Sequence, residues 1–163
     1  MCIFTADFIL NSMYTFVKVK ENGLPFKGVT RYILSINNHE SILQALAEFC
    51  ALERVFCGKV SGIGAINQAV FRFLDPATRQ YVDKSFDEQM EITCLEGNIS
   101  QKDNKPYLHV HLTCSRRDYT CVGGHLLEAR VNGACELFVE NYTETTALRR
   151  ADAETGLNMY DFK

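Results

Sequence analysis

Apolar and polar positions alternate along most of this chain, and the alternation breaks into helical period only once. Residues 14–20 alternate weakly and predict a strand at a sheet edge, followed by turn chemistry at 21–25 (Glu-Asn-Gly-Leu-Pro). Residues 30–36 alternate cleanly, with Arg31, Ile33 and Ser35 on one face and Tyr32, Leu34 and Ile36 on the other. The period then changes. Ile42, Ala45, Leu46, Phe49 and Cys50 recur at helical spacing, so an amphipathic helix is predicted, capped by Asn37-Asn38, with Glu40 in its first turn and its end near Arg54.

Strand character returns after the helix. Residues 57–64 and 65–74 read as two strands or one bent strand, with Gly58, Gly62 and Gly64 allowing a bulge or close backbone approach. A turn at 75–78 follows. Residues 88–95 alternate again, with Glu91, Thr93 and Leu95 expected on one face, and a turn at 103–106 leads into a strand at 107–114. A tip at 115–118 precedes strands at 119–123 and 135–140, and the tail from Asn141 is polar with scattered apolar anchors. Many short strands and one strong helix predict an α+β domain of mostly antiparallel sheet. With no linker or repeat, one domain over 1–163 is expected, residues 1–12 forming a loose extension.

Composition adds boundaries rather than chemistry. Apolar residues make up 47% and charged residues 23%, values of a folded domain and not of a disordered one. The net charge of −3 argues against a free-standing nucleic-acid binder, whose affinity rests on phosphate attraction. No stretch approaches the ~20 apolar residues that cross a bilayer, so no membrane partner is expected. The seven cysteines are odd in number and form no C-x-x-C pair, which points to reduced thiols and a cytoplasmic setting. Cys114 and Cys121 are the one pair that flanks a predicted hairpin tip.

Three of the four histidines cluster: His109-Val110-His111 and His125 within Gly123-Gly124-His125-Leu126. On a strand, His109 and His111 project to one face. A five-residue loop, 115–119, would set His125 opposite His109 and Gly123 opposite His111. A shorter loop reaches the same face only with a bulge at the glycines. Either gives three nitrogen ligands and an open position, the donor set of a catalytic rather than a closed zinc site. The fourth, His39, is expected on the solvated surface.

Five segments, in order, carry a resemblance: Arg31 with its strand and the Glu40 helix; Gly62-Ile63-Gly64-Ala65; Glu91 through Ser100; Leu108-His109-Val110-His111; and Gly123-Gly124-His125-Leu126. The tail 152–158 adds to them. Together they resemble the plant and prokaryote conserved (PPC) domain in its stand-alone bacterial form, over about residues 13–163. The resemblance implies an α+β fold shared with acetolactate decarboxylase, a homotrimer, and a metal, with Zn²⁺ as the expected ion, held by His109, His111 and His125. Plant relatives join the domain to AT-hook segments that enter DNA; this sequence carries no Arg-Gly-Arg-Pro hook, so DNA is only a weakly supported partner.

Two functions follow as expectations. One is a trimeric assembly or ligand-binding module with a three-histidine metal site and a small-molecule ligand. The other is a metal-dependent enzyme acting on a small carbonyl or carboxylate substrate. In the second, Glu91 serves as a fourth ligand or acid–base group and Arg31 clamps a carboxylate; the plain alternative pairs Arg31 with Glu91.

Overall fold

The computed structural model of the chain describes residues 9–19 and 28–162. The predicted turn at 21–25 and residues 1–8 of the N-terminal extension lie outside the described residues. Antiparallel sheet dominates, with a single helix among the described residues, as the alternation predicts. The first part of the chain forms β1 (Ile9–Leu10), β2 (Tyr14–Lys18), β3 (Val29–Ile36), α1 (Ile42–Leu52) and β4 (Gly58–Asp75). Then come β5 (Gln80–Phe86), β6 (Met90–Lys102), β7 (Lys105–Ser115), β8 (Cys121–Tyr142), β9 (Arg149–Ala151) and β10 (Asn158–Tyr160).

β4 and β8 are the two long members, of 18 and 22 residues, and they pair from Gly58↔Asn141 to Arg72↔His125. β6 occupies the other edge of β4, β7 pairs with β6, and β7 returns to β8 through Ser115↔Cys121. The circuit β4–β6–β7–β8 therefore closes on itself, while β1 and β5 remain the end strands of the sheet. β3, β2 and β1 extend from the far end of β8, where Val29 pairs with Tyr142 and Ile36 with Cys135. The predicted strands 119–123 and 135–140 are thus the two ends of one strand.

Between β7 and β3 the edge of β8 is bonded by the approach to the helix instead of by a strand. His39 N–H donates to the Val131 carbonyl (2.9 Å) and Val131 N–H donates to that of Glu40 (3.0 Å). This moves the helix start. Ser41, not Asn37-Asn38, is the N-cap, its Oγ accepting from Gln44 N–H at 3.2 Å. Asn38 Oδ1 instead accepts from Gly133 N–H (2.9 Å). The predicted apolar stripe of Ile42, Ala45, Leu46, Phe49 and Cys50 is buried. Phe49 meets Phe16 at 5.0 Å and Tyr32 at 5.1 Å, both in edge-on geometry.

The core follows strand parity. Tyr32, Leu34 and Ile36 of β3 are buried, as are Val110, Leu112 and Cys114 of β7. One expected face is wrong: a register shift between Ile92 and Cys94 turns Leu95 inward while Glu91 and Thr93 stay exposed. Cys114 and Cys121 do not form a pair either. Cys114 is buried and Cys121, opposite Ser115, is exposed, so the two thiols leave opposite faces of the hairpin. Burial pushes the Cys114 and Cys135 thiols up to about 12, in keeping with core-filling roles.

The close approach of β4 and β8 depends on glycine. A Cβ on Gly64 would stand 2.8 Å from the Cys135 Cα, and one on Gly62 would stand 3.0 Å from the Leu137 Cα. Both strike backbone, which cannot swing aside. Gly64→Ala and Gly62→Ala are each expected to destabilise the fold by about 1–3 kcal/mol through overpacking. A thermal melt followed by circular dichroism reads this directly, and unchanged melting would contradict so tight a ladder.

Candidate metal centre

Alternation along β7 sends Val110, Leu112 and Cys114 inward and leaves His109 and His111 on the outer wall of the barrel. The hairpin tip is five residues long but lies at 116–120 instead of 115–119. Arg116 N–H donates to the Thr120 carbonyl (2.9 Å), and the Asp118 carboxylate accepts from the Thr120 N–H (3.0 Å) and hydroxyl (2.6 Å). His125 consequently pairs with His111, not His109, and Gly123 pairs with Thr113, not His111. The slip is two residues, so the face is preserved and all three rings still meet.

Their centroids stand 5.1 to 5.5 Å apart, and one nitrogen from each lies within 4.8 Å of the others. Nitrogens around a tetrahedral zinc at ~2.0–2.1 Å stand ~3.4 Å apart, a gap that small ring rotations close. The donor set therefore fits a transition ion such as zinc. Burial holds the His109 imidazole below its ordinary range, with His111 and Arg149 adding to the effect. His125 is lowered likewise by burial first, then by His109, His111 and Arg72. Both causes favour the neutral ring, which is the form that donates a lone pair to a metal.

The surroundings are built from elements that the sequence pattern did not reveal. β5, which no alternation predicted, flanks β4 and supplies Asp83, whose carboxylate grips Arg72 through two bonds of 2.7 Å. Arg72 pairs directly across from His125. On the other side the tail folds back as the hairpin of β9 and β10. Arg149 lies over the Tyr160 ring (4.0 Å) and the Tyr107 ring (5.1 Å), donating to Ser100 Oγ (2.7 Å) and the Asn158 carbonyl (2.8 Å). The Tyr160 hydroxyl donates to Asn98 Oδ1 (3.0 Å), and Asn98 is the β6 partner of His109. Two guanidinium groups thus stand beside the three imidazoles.

Glu91 and Arg31 are not brought there. Glu91 pairs with Ser115, about 13 Å along the strand from His111 at ~3.3 Å per residue. It lines a separate cleft of about 530 Å³ with Glu88, Arg116, Arg117 and Tyr119. Arg31 pairs with Glu140 at the opposite end of β8, Nε to Oε1 3.2 Å, so the expected Arg31–Glu91 contact is absent. The carboxylate opposite His111 is Glu96, five residues along β6 from Glu91.

A closed antiparallel barrel with convergent imidazoles on its outer wall defines the class: a small β-barrel domain with a transition-metal donor set. Residues 24–143 match the Plants and Prokaryotes Conserved (PCC) domain, and the chain belongs to that family. It is similar to a protein of Bacteroides thetaiotaomicron provisionally named DNA-binding, at 44% identity over 90% of this chain and 97% of that one, with a TM-score of 0.81. It is also similar to a metal-containing protein of Archaeoglobus fulgidus, at 33% identity over 80% and 91% of the two chains, TM-score 0.75. A plant- and prokaryote-conserved protein of Pyrococcus horikoshii shares the fold at 22% identity, covering 94% and 97%, TM-score 0.76. No curated protein matches the sequence.

The C-terminal hairpin is docked by Arg149 on Ser100 and Tyr107, by Asn158 on the Tyr107 hydroxyl and by Tyr160 on Asn98. Arg149→Ala removes one hydrogen bond and one aromatic contact to the barrel, together with two contacts inside the hairpin, and is expected to weaken docking by roughly 1–3 kcal/mol. Limited proteolysis should then cut within residues 143–162 at least several-fold faster while the barrel core stays intact. Equal cleavage rates would show that the hairpin is held elsewhere.

Proposed function

We propose that this chain is an assembly and ligand-binding module built around a three-histidine metal site, with zinc as its ion. The convergence of His109, His111 and His125 within 4.8 Å carries the reading, and the metal-containing relative at 33% identity supports it. A zinc ion bound there supplies Lewis acidity toward an oxygen ligand. The chain's own part is to hold three imidazoles on rigid strands, two of them biased to the neutral form, and to set Arg72 and Arg149 beside them. Arg149, held by a hydroxyl and a carbonyl and, among the described residues, not by a carboxylate, favours the second reading, an enzyme for small carbonyl or carboxylate compounds, because it draws anionic ligands to the open side. That reading runs without Glu91 or Arg31.

The module works as a homotrimer in this proposal. Ile33, Ile63 and Phe138 are 44%, 60% and 60% exposed on one outer face of the sheet. Ile33 pairs with Phe138, and both line a shallow groove of about 560 Å³ together with Ile63. A contiguous apolar face of this kind suits a further copy of the chain. A cytoplasmic setting agrees with six free cysteines among the described residues, and no described helix is long and apolar enough to cross a membrane. DNA ranks last. Arg31, Arg72 and Arg116 are each engaged by a carboxylate, which leaves them poor phosphate ligands.

Metal analysis of protein purified without a histidine tag tests the centre. Near-stoichiometric zinc or another transition ion is expected, falling at least tenfold in the His109→Ala/His111→Ala double variant. Metal-free wild-type protein that also fails to take up added Zn²⁺ would end the reading. For assembly, Ile63→Asp and Phe138→Asp should shift the light-scattering mass from three chains toward one. A wild-type mass of one chain would refute the trimer. Residual binding in a DNA shift assay at ~150 mM salt would restore the nucleic-acid reading.

A further inference from the structure

A carboxylate on the histidine strand breaks the ordinary rule of burial. Oε1 of Glu128 is buried and finds no hydrogen-bond donor among the described residues. Such an oxygen costs stability, because it has given up water without replacement. Its placement comes from a bulge. Along β4, Arg72, Phe71 and Val70 pair in turn with His125, Leu126 and Glu128, so Leu127 is skipped. Phe71 and Leu126 point into the core at 6% and 2% exposure. The pairs on either side, Arg72–His125 and Val70–Glu128, therefore both lie on the outer wall.

In an unbulged strand of the same sequence, Leu127 would share the face of His125 and Glu128 would point into the core. Bulges re-aim side chains in this way beside functional sites. His125 and Glu128 stand roughly 8–10 Å apart along the strand, within the summed reach of an imidazole and a glutamate. Glu128 is not among the donor atoms that converge with the three nitrogens, so it is not itself a ligand in this arrangement.

We infer that Glu128 is a positioning carboxylate of the histidine centre, whose Oε1 accepts a hydrogen bond from the protic group on the triad's open side. That group is a water or the hydroxyl of an oxygen-bearing ligand, since only an O–H or N–H donor satisfies the buried oxygen. The inference rests on the metal-site reading. It adds the demand that the ligand carry a donor as well as an oxygen for the ion. It also explains why a charged residue is tolerated where a neutral one would fold better: the metal-free protein bears a cost that the occupied centre removes.

The test uses untagged full-length protein stripped of metal and titrated with Zn²⁺ or Co²⁺ against a chromogenic chelator. Two variants are compared, Glu128→Gln, which keeps shape and removes charge, and Glu128→Met, which fills the space without polar atoms. Both are expected to bind the ion about 10–100-fold more weakly and to alter the visible absorption of the Co²⁺ form. Their metal-free melting temperatures should equal or exceed that of the wild type. Wild-type affinity and an unchanged Co²⁺ spectrum in both variants would overturn the role of Glu128 and leave the three-histidine site standing. Lower metal-free melting in both would assign Glu128 to the fold and overturn it as well. Failure of the wild type to bind either ion would remove the metal reading and this inference together.

Discussion

The hydrogen-bonded ladder between β4 and β8 governs everything else in this molecule. Its two strands pair over nearly their whole lengths, and each carries further strands on its free edge. Because successive side chains in a strand point to opposite faces, the ladder decides for each residue whether it enters the core or the outer wall. Parity is reset only at its register shifts, between Gly64 and Ile66, Ile66 and Gln68, and Val70 and Phe71. The last of these lies beside the histidines. A barrel that closes through one pair of long strands thus fixes the site's geometry as a by-product of closing.

Helix and core obey the same ladder. The edge of β8 that neither β7 nor β3 covers would expose unpaired amides. Residues 39–41 bond there, which places the first turn of α1 beside Val131 and directs Phe49 onto Tyr14, Phe16 and Tyr32. Asn37 and Asn38 look like caps in the sequence because their side chains compete for backbone groups anywhere. In the fold Asn38 spends that capacity on Gly133 across the sheet.

The strong periodicities were legible: the buried stripe of α1, the faces of β3, and the common face of His109 and His111. Register was less so. The apolar alternation of residues 114–121 does not distinguish a tip at 115–119 from one at 116–120; in the fold Asp118 accepts from the N–H and hydroxyl of Thr120 and closes the later turn. An error of two residues is harmless to the histidines because the strand period is two. The single-residue shift between Ile92 and Cys94 was harmful, turning Leu95 inward against its apparent phase. β5 escaped notice because six of its seven residues are exposed, so no apolar alternation marks it. Glu91 drew attention because its strand precedes the histidine strand, and Arg31 as a carboxylate clamp, yet long strands carry Glu91 to Ser115 and Arg31 to Glu140, away from the histidines.

Placement on the outer wall lets the centre combine two needs that oppose each other. Imidazoles sealed in the core would be neutral but unreachable; fully solvated ones would be reachable but protonated over more of the acidic range. Here His109 and His125 are half-buried and lowered by it, while His111 stays exposed. Beside them lie two attachments to the barrel, β5 and the hairpin of β9 and β10. β5 touches the sheet only through β4, and the hairpin of β9 and β10 is anchored chiefly by Arg149 and Tyr160. Elements with so few core contacts open locally at far lower free energy than the strands beneath. The mutual geometry of the histidines is set by β7 and β8, while the two guanidinium groups beside them are oriented by Asp83 of β5 and by the β9–β10 hairpin.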